Sequence, residues 1–102
     1  MDKWELDDLQ KQIGLYINVE RLMKKMSQPE LANEVNLSKT HISRIENGDA
    51  NITLTTLINI CNYLQIDIPK IFTKMNEVEL TELENNLERL AKEFKNQNRG
   101  KS

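Results

Sequence analysis

The sequence predicts an all-α protein built from five helices and an additional, amphipathic sixth, and three observations carry that prediction. Between Ser27 and Gly48, in SQPELANEVNLSKTHISRIENG, cap residues and one-sided apolar spacing mark two short helices. A turn of roughly three or four residues joins them. Further along, Leu80, Leu83, Leu87, Leu90 and Phe94 alternate spacings of three and four, which is the seam of an amphipathic helix. The length of 102 residues fits one compact domain with a modest core, plus extensions.

Residues 1–12 form an acidic, polar lead-in that holds Trp4, Leu6 and Leu9 and runs into helix one, placed near Leu9 to Met26. Helix one carries two apolar stripes. Ile13 and Ile17 face the expected core, while Leu15, Val19 and Leu22 recur at helical spacing on another side. One stripe is enough for a single small core, so the surplus stripe implies a second packing partner, either another part of the chain or another copy of it.

Helix two opens at Ser27, whose hydroxyl and the Glu30 carboxylate form a capping box, with Pro29 in the first turn where its missing N–H has no partner to lose. Leu31, Ala32 and Val35 are its apolar side. Asn36 stands where the helix must end, in the left-handed position that Asn tolerates best after glycine, and Leu37 turns inward. Ser38 is the next N-cap. The helix it opens buries Ile42 and Ile45, leaves Lys39, Thr40, Ser43 and Arg44 on the other side, and stops at Gly48.

Helix four is expected from the Thr53 cap to Leu64, burying Leu54, Leu57, Ile58 and Cys61. Ile66, Ile68, Ile71 and Phe72 then close the core, with Pro69 at the start of a short fifth helix. Residues 13–74 make this one domain. Residues 75–96 form the sixth helix, whose leucine seam must be buried because such a helix is marginal alone in water. It can pair with the same helix of a second subunit or fold back on the Leu15, Val19 and Leu22 stripe; the two are not exclusive, and the favoured expectation is a homodimer through Leu80, Leu83, Leu87, Leu90 and Phe94. Residues 97–102 read as a basic, disordered tail.

Several function classes are excluded by pattern. No stretch approaches the roughly twenty apolar residues of a membrane span, and the acidic N-terminus is unlike a signal peptide, so a cytoplasmic protein without membrane contact is expected. The lone Cys61 has no partner for a disulfide or a metal site and reads as core; His41, the one histidine, has no catalytic or ligand pattern around it. There is no phosphate-binding glycine loop, nucleophile elbow or paired-carboxylate motif. Neither an enzyme nor a cofactor or metal is expected. A net charge of −2 gives little bulk attraction for nucleic acid. Within residues 13–72, however, acids and bases balance, and Lys39 and Arg44 share the exposed side of one helix.

The residues from Ser27 to Gly48 resemble the Cro/cI-type (lambda-repressor-like, XRE) helix-turn-helix family, whose pattern runs S-Q-x-x-L-A, a turn, then S-x-x-x-I-S-x-x-E-x-G. The likeness extends to Gly14, Ile17 and Arg21 in helix one, to Asn51–Leu57, and to Leu64–Phe72, so it covers residues 13–72. The chain departs from the pattern where Asn36 and Lys25 replace common glycines and where Glu20 replaces an apolar residue.

The resemblance implies a lambda-repressor-like five-helix domain and a sequence-specific, DNA-binding transcriptional regulator. A repressor is expected, binding an inverted repeat as a homodimer. The segment 38–47 would be the reader, since an α-helix fits the major groove and its first residues approach the bases. Lys39 and Thr40 would then lie deepest, with Ser43 one turn later and Arg44 on a base or a phosphate. By the same resemblance Gln28 touches a phosphate and braces the reader, Asn47 and Asn51 hold the backbone around the next turn, and Arg21 pairs with Glu46. Ser38 and Asn47 also have a plainer reading as helix caps. A competing reading makes the chain a protein-interaction module, an antitoxin-like partner whose leucine seam holds another protein.

Overall fold

Six helices follow one another in chain order: α1 (Leu6–Met23), α2 (Gln28–Glu34), α3 (Lys39–Glu46), α4 (Leu54–Leu64), α5 (Ile68–Ile71) and α6 (Glu77–Asn98). The computed structural model describes residues 3–98, and among these residues there is no strand. The expected caps form. The Glu30 amide donates to Ser27 Oγ and the Ser27 amide to Glu30 Oε1, both at 3.1 Å. Ser38 Oγ accepts from the His41 amide at 3.0 Å, and Thr53 Oγ1 accepts from the Thr56 amide at 3.1 Å.

The helix ends are equally local in origin. Asn36 takes φ of 58° and Gly48 φ of 75°, as the residue types suggest. Lys25 and Gln65 adopt the same left-handed geometry at 58° and 59° without any such preference. Past each of these residues the next amide folds back on the carbonyl five residues earlier: Met26 on Arg21, Leu37 on Ala32, Asp49 on Arg44 and Ile66 on Cys61, at 2.8–3.2 Å.

The core gathers Ile13 and Ile17 of α1, Leu31 and Ala32 of α2, Ile42 and Ile45 of α3, Leu57, Ile60, Cys61 and Leu64 of α4, then Ile66 and Ile71. Three expectations are corrected here. Helix one begins three residues earlier than predicted, at Leu6, and ends at Met23 because Lys25 leaves helical geometry. On α4, Leu54 is 74% and Ile58 44% exposed, while Ile60 and Leu64 take the buried places. The helix offered two overlapping apolar stripes, and its packing against α1 turned the 57, 60, 61 and 64 stripe inward. Ile68 and Phe72 remain at the surface, leaving Ile66 and Ile71 to close the core.

The sixth helix lies along α1 and runs in the same direction, with Leu80 and Glu84 beside Trp4, Asp8 and Lys11, and Leu87, Ala91 and Phe94 beside Asn18, Arg21 and Leu22. It covers Leu15, Val19 and Leu22, all of which are buried. The surplus stripe thus has its partner within the chain. The seam itself is only half-buried at Leu80, Leu83, Leu87, Leu90 and Phe94, and no α6 residue is fully buried. Residues 97 and 98, expected in the tail, belong to this helix; the rest of the expected tail, 99–102, lies outside the described residues, as do residues 1 and 2 of the lead-in.

Candidate nucleic-acid interface

The third helix is held by an approach of backbone to backbone. Gly14 of α1 meets the end of α3 so closely that a Cβ there would stand 2.2 Å from the Ile45 carbonyl oxygen and 2.8 Å from that of Glu46. Only a residue without a side chain lets α1 and α3 touch at this point.

Beside that contact lies a buried polar network. Arg21 Nε donates to Glu46 Oε2 at 2.7 Å and Nη2 donates to Oε1 at 3.0 Å, so the guanidinium grips the carboxylate with two bonds. Arg21 also donates to the Met26 carbonyl at 2.6 Å and to Asn18 Oδ1 at 2.9 Å. Gln28 Nε2 donates to Glu46 Oε1 at 2.8 Å. Both charged residues are 6% exposed, and among the described residues no buried side-chain nitrogen or oxygen lacks a hydrogen-bond partner. One carboxylate therefore ties α1, α2 and α3 together, and Gln28 braces α3 from α2.

With Ile42, Ile45 and Glu46 pinned on the inner side, the outer side of α3 is fixed in direction. Ser38, Lys39, Thr40 and Arg44 are exposed, Ser43 and His41 are half-buried, and Gln28 sits half-buried beside them. An ammonium, a hydroxyl with a methyl group and a guanidinium are thereby presented along one short helix, which is the donor set that reads major-groove edges and phosphates. Arg44 Nη2 donates to the Asp49 carbonyl at 3.2 Å, so this cation also steadies the turn after α3.

Asn47 is the C-cap of α3, its amide donating to the Ser43 carbonyl at 3.0 Å, and its side chain is exposed. Asn51 is exposed too, and its Oδ1 accepts from Gln10 Nε2, which also reaches the Ala50 carbonyl at 3.2 Å. Sequence reading missed Gln10, Gln12 and Asn18. Each is an uncharged polar residue on α1 with no motif or period to single it out, and only the neighbours brought by folding give it a role. Leu80, Leu83, Leu87, Leu90 and Phe94 stand apart from α3, against α1.

Comparison with known proteins places this chain among relatives. A family profile described as Helix-turn-helix matches residues 17–71. The chain is 35% identical over 54 residues to Control protein C.SmaI of Serratia marcescens, covering 53% of this chain and 64% of that protein. It is 32% identical over 72 residues to the ImmF control region 10 kDa protein of Bacillus phage phi105, covering 71% of this chain and 78% of that protein. The match thus spans just under two thirds of the Serratia protein's length.

Proposed function

Since the chain belongs to the XRE-type helix-turn-helix family and is a DNA-binding transcriptional regulator, we propose that it acts as a repressor that reads an inverted repeat as a homodimer. The observation that carries this reading is the outer side of α3, where Lys39, Thr40 and Arg44 lie exposed while Ile42, Ile45 and Glu46 lock the opposite side. Lys39 donates to guanine O6 and N7, Thr40 offers its hydroxyl and its methyl group to a thymine, Ser43 adds a hydroxyl one turn later, and Arg44 grips the neighbouring backbone. Gln28, Ser38, Asn47 and Asn51 hold the reader and the turn that follows it against the DNA.

Two strong cations and a net charge of −2 give one copy little hold on DNA, which is why two copies are required. Leu80, Leu83, Leu87, Leu90 and Phe94 keep apolar surface uncovered after docking on α1, and a second copy has that surface to bury. Light scattering of the intact chain is expected to give twice the monomer mass; the monomer mass at micromolar concentration sinks the homodimer.

A footprint on the DNA upstream of the chain's own coding region tests the whole reading. Two protected half-sites with centres about 34 Å apart are expected. Lys39→Ala should relax the preference at one base pair at a cost of about 1–3 kcal/mol. Arg44→Ala should weaken all sites alike. No protection at low salt, or equal binding by both variants and the wild type, rejects the proposal.

A further inference from the structure

The crossover from α5 to α6 is fastened to α1 chiefly by Gln12. Gln12 is 1% exposed, and its side chain makes three bonds to this segment: Nε2 donates to the Ile71 carbonyl at 3.0 Å and to the Thr73 carbonyl at 2.8 Å, and Oε1 accepts from the Met75 amide at 3.0 Å. Lys74 adds a second fastening, with Nζ 5.4 Å above the Trp4 ring and donating to the Lys3 carbonyl at 2.7 Å. Asn76 and Glu79 then start α6 with a reciprocal pair of bonds at 2.8 and 3.1 Å. The start of α6 is therefore held by polar contacts separate from its leucine seam. That setting matters because α6 buries no residue fully, and a helix held by a half-buried stripe is weakly anchored.

At its far end α6 reaches the network that holds the reader. Leu87, Ala91 and Phe94 line one shallow groove together with Asn18, Arg21, Ser27 and Gln28. Arg21 thus faces both helices: it bonds Glu46 of α3 and shares the groove with Leu87, Ala91 and Phe94 of α6. We propose that Gln12 is a positioning residue for DNA binding: by fixing the crossover it seats α6 as the outer wall of the Arg21, Glu46 and Gln28 network, and so stiffens α3 from outside the domain that reads DNA. The proposal rests on the chain's DNA binding and extends the reader's support to a helix beyond residues 17–71.

Trp4 is the one tryptophan of the chain and lies at the crossover, so its fluorescence reports the seat directly. The test compares wild type, Gln12→Met and Lys74→Gln, each checked for retained helix content by circular dichroism, on a 20-bp duplex of arbitrary sequence over a series of salt concentrations. Gln12→Met keeps the length and loses the three bonds. Lys74→Gln loosens the second fastening from an exposed position, and decides the matter if Gln12→Met does not fold. Both variants should shift Trp4 emission to longer wavelength, and Gln12→Met should weaken binding about fivefold or more, the low end of coupling between sites. The slope of log affinity against log salt should not change, because no phosphate contact is removed. Unshifted Trp4 emission, or wild-type affinity with shifted emission, overturns the proposal. A shallower salt slope overturns it as well, by showing that the displaced segment touches DNA itself. Failure of the wild type to bind the duplex at low salt is a separate result, which removes the DNA-binding reading beneath it.

Discussion

Glu46 has both carboxylate oxygens engaged, one by Arg21 Nε and the other by Arg21 Nη2 and the Gln28 amide. Removing one partner of such a pair leaves the other charge buried without compensation. Glu46→Ala should therefore cost about 3–5 kcal/mol in urea unfolding, while replacing Arg21 and Glu46 together by leucines should cost much less. Tyr16 shows burial acting on a proton. Desolvation first, then the charges of Glu20, Asp67 and Cys61, hold its hydroxyl above the usual tyrosine range. A raised value means the folded state favours the neutral phenol. The stability Tyr16 contributes is then complete below the ordinary value of about 10 and is lost as pH rises through the higher folded value. Tyr16→Phe should flatten that alkaline loss, read as the urea midpoint between pH 8 and pH 11. The Arg21 and Glu46 pair was legible in the sequence only through family likeness, whereas the charge neighbours of Tyr16 come from three separate elements and were not legible at all.

At the scale of elements, the starts of α2, α3 and α4 were readable because a cap is local chemistry: Ser27, Ser38 and Thr53 each accept from an amide three residues on. Helix ends were readable only where residue type announced them. Asn36 and Gly48 did so; Lys25 and Gln65 did not, since neither side chain favours φ near 58° and only the path of the chain into the next element puts them there. Relieving that geometry should stabilise the protein. Lys25→Gly is expected to raise the unfolding free energy by about 1 kcal/mol, checked by thermal and urea denaturation. The inward side of α4 was misread for a related reason. Leu54 and Ile58 satisfy helical spacing as well as Ile60 and Leu64 do, and only the positions of the other helices decide between them.

Across the whole molecule, α6 converts the extra stripe of α1 into an internal interface. A chain ending at Lys74 should expose Leu15, Val19 and Leu22, bind a hydrophobic dye strongly and self-associate in light scattering, whereas the intact chain should do neither beyond the proposed dimer. The amino-acid sequence alone determined that the chain is helical, where α3 begins and ends, and which side of it faces the core, because caps, breakers and one-sided spacing act over three or four residues. Only the tertiary structure decided what the leucine seam lies against, which stripe of α4 faces inward and that Gln12 fastens the crossover. Those choices compare surfaces of equal hydrophobicity or call on a polar side chain with no local partner, and they are settled by which distant segments meet once the chain has folded, as Gln12 and Met75 do across 63 positions.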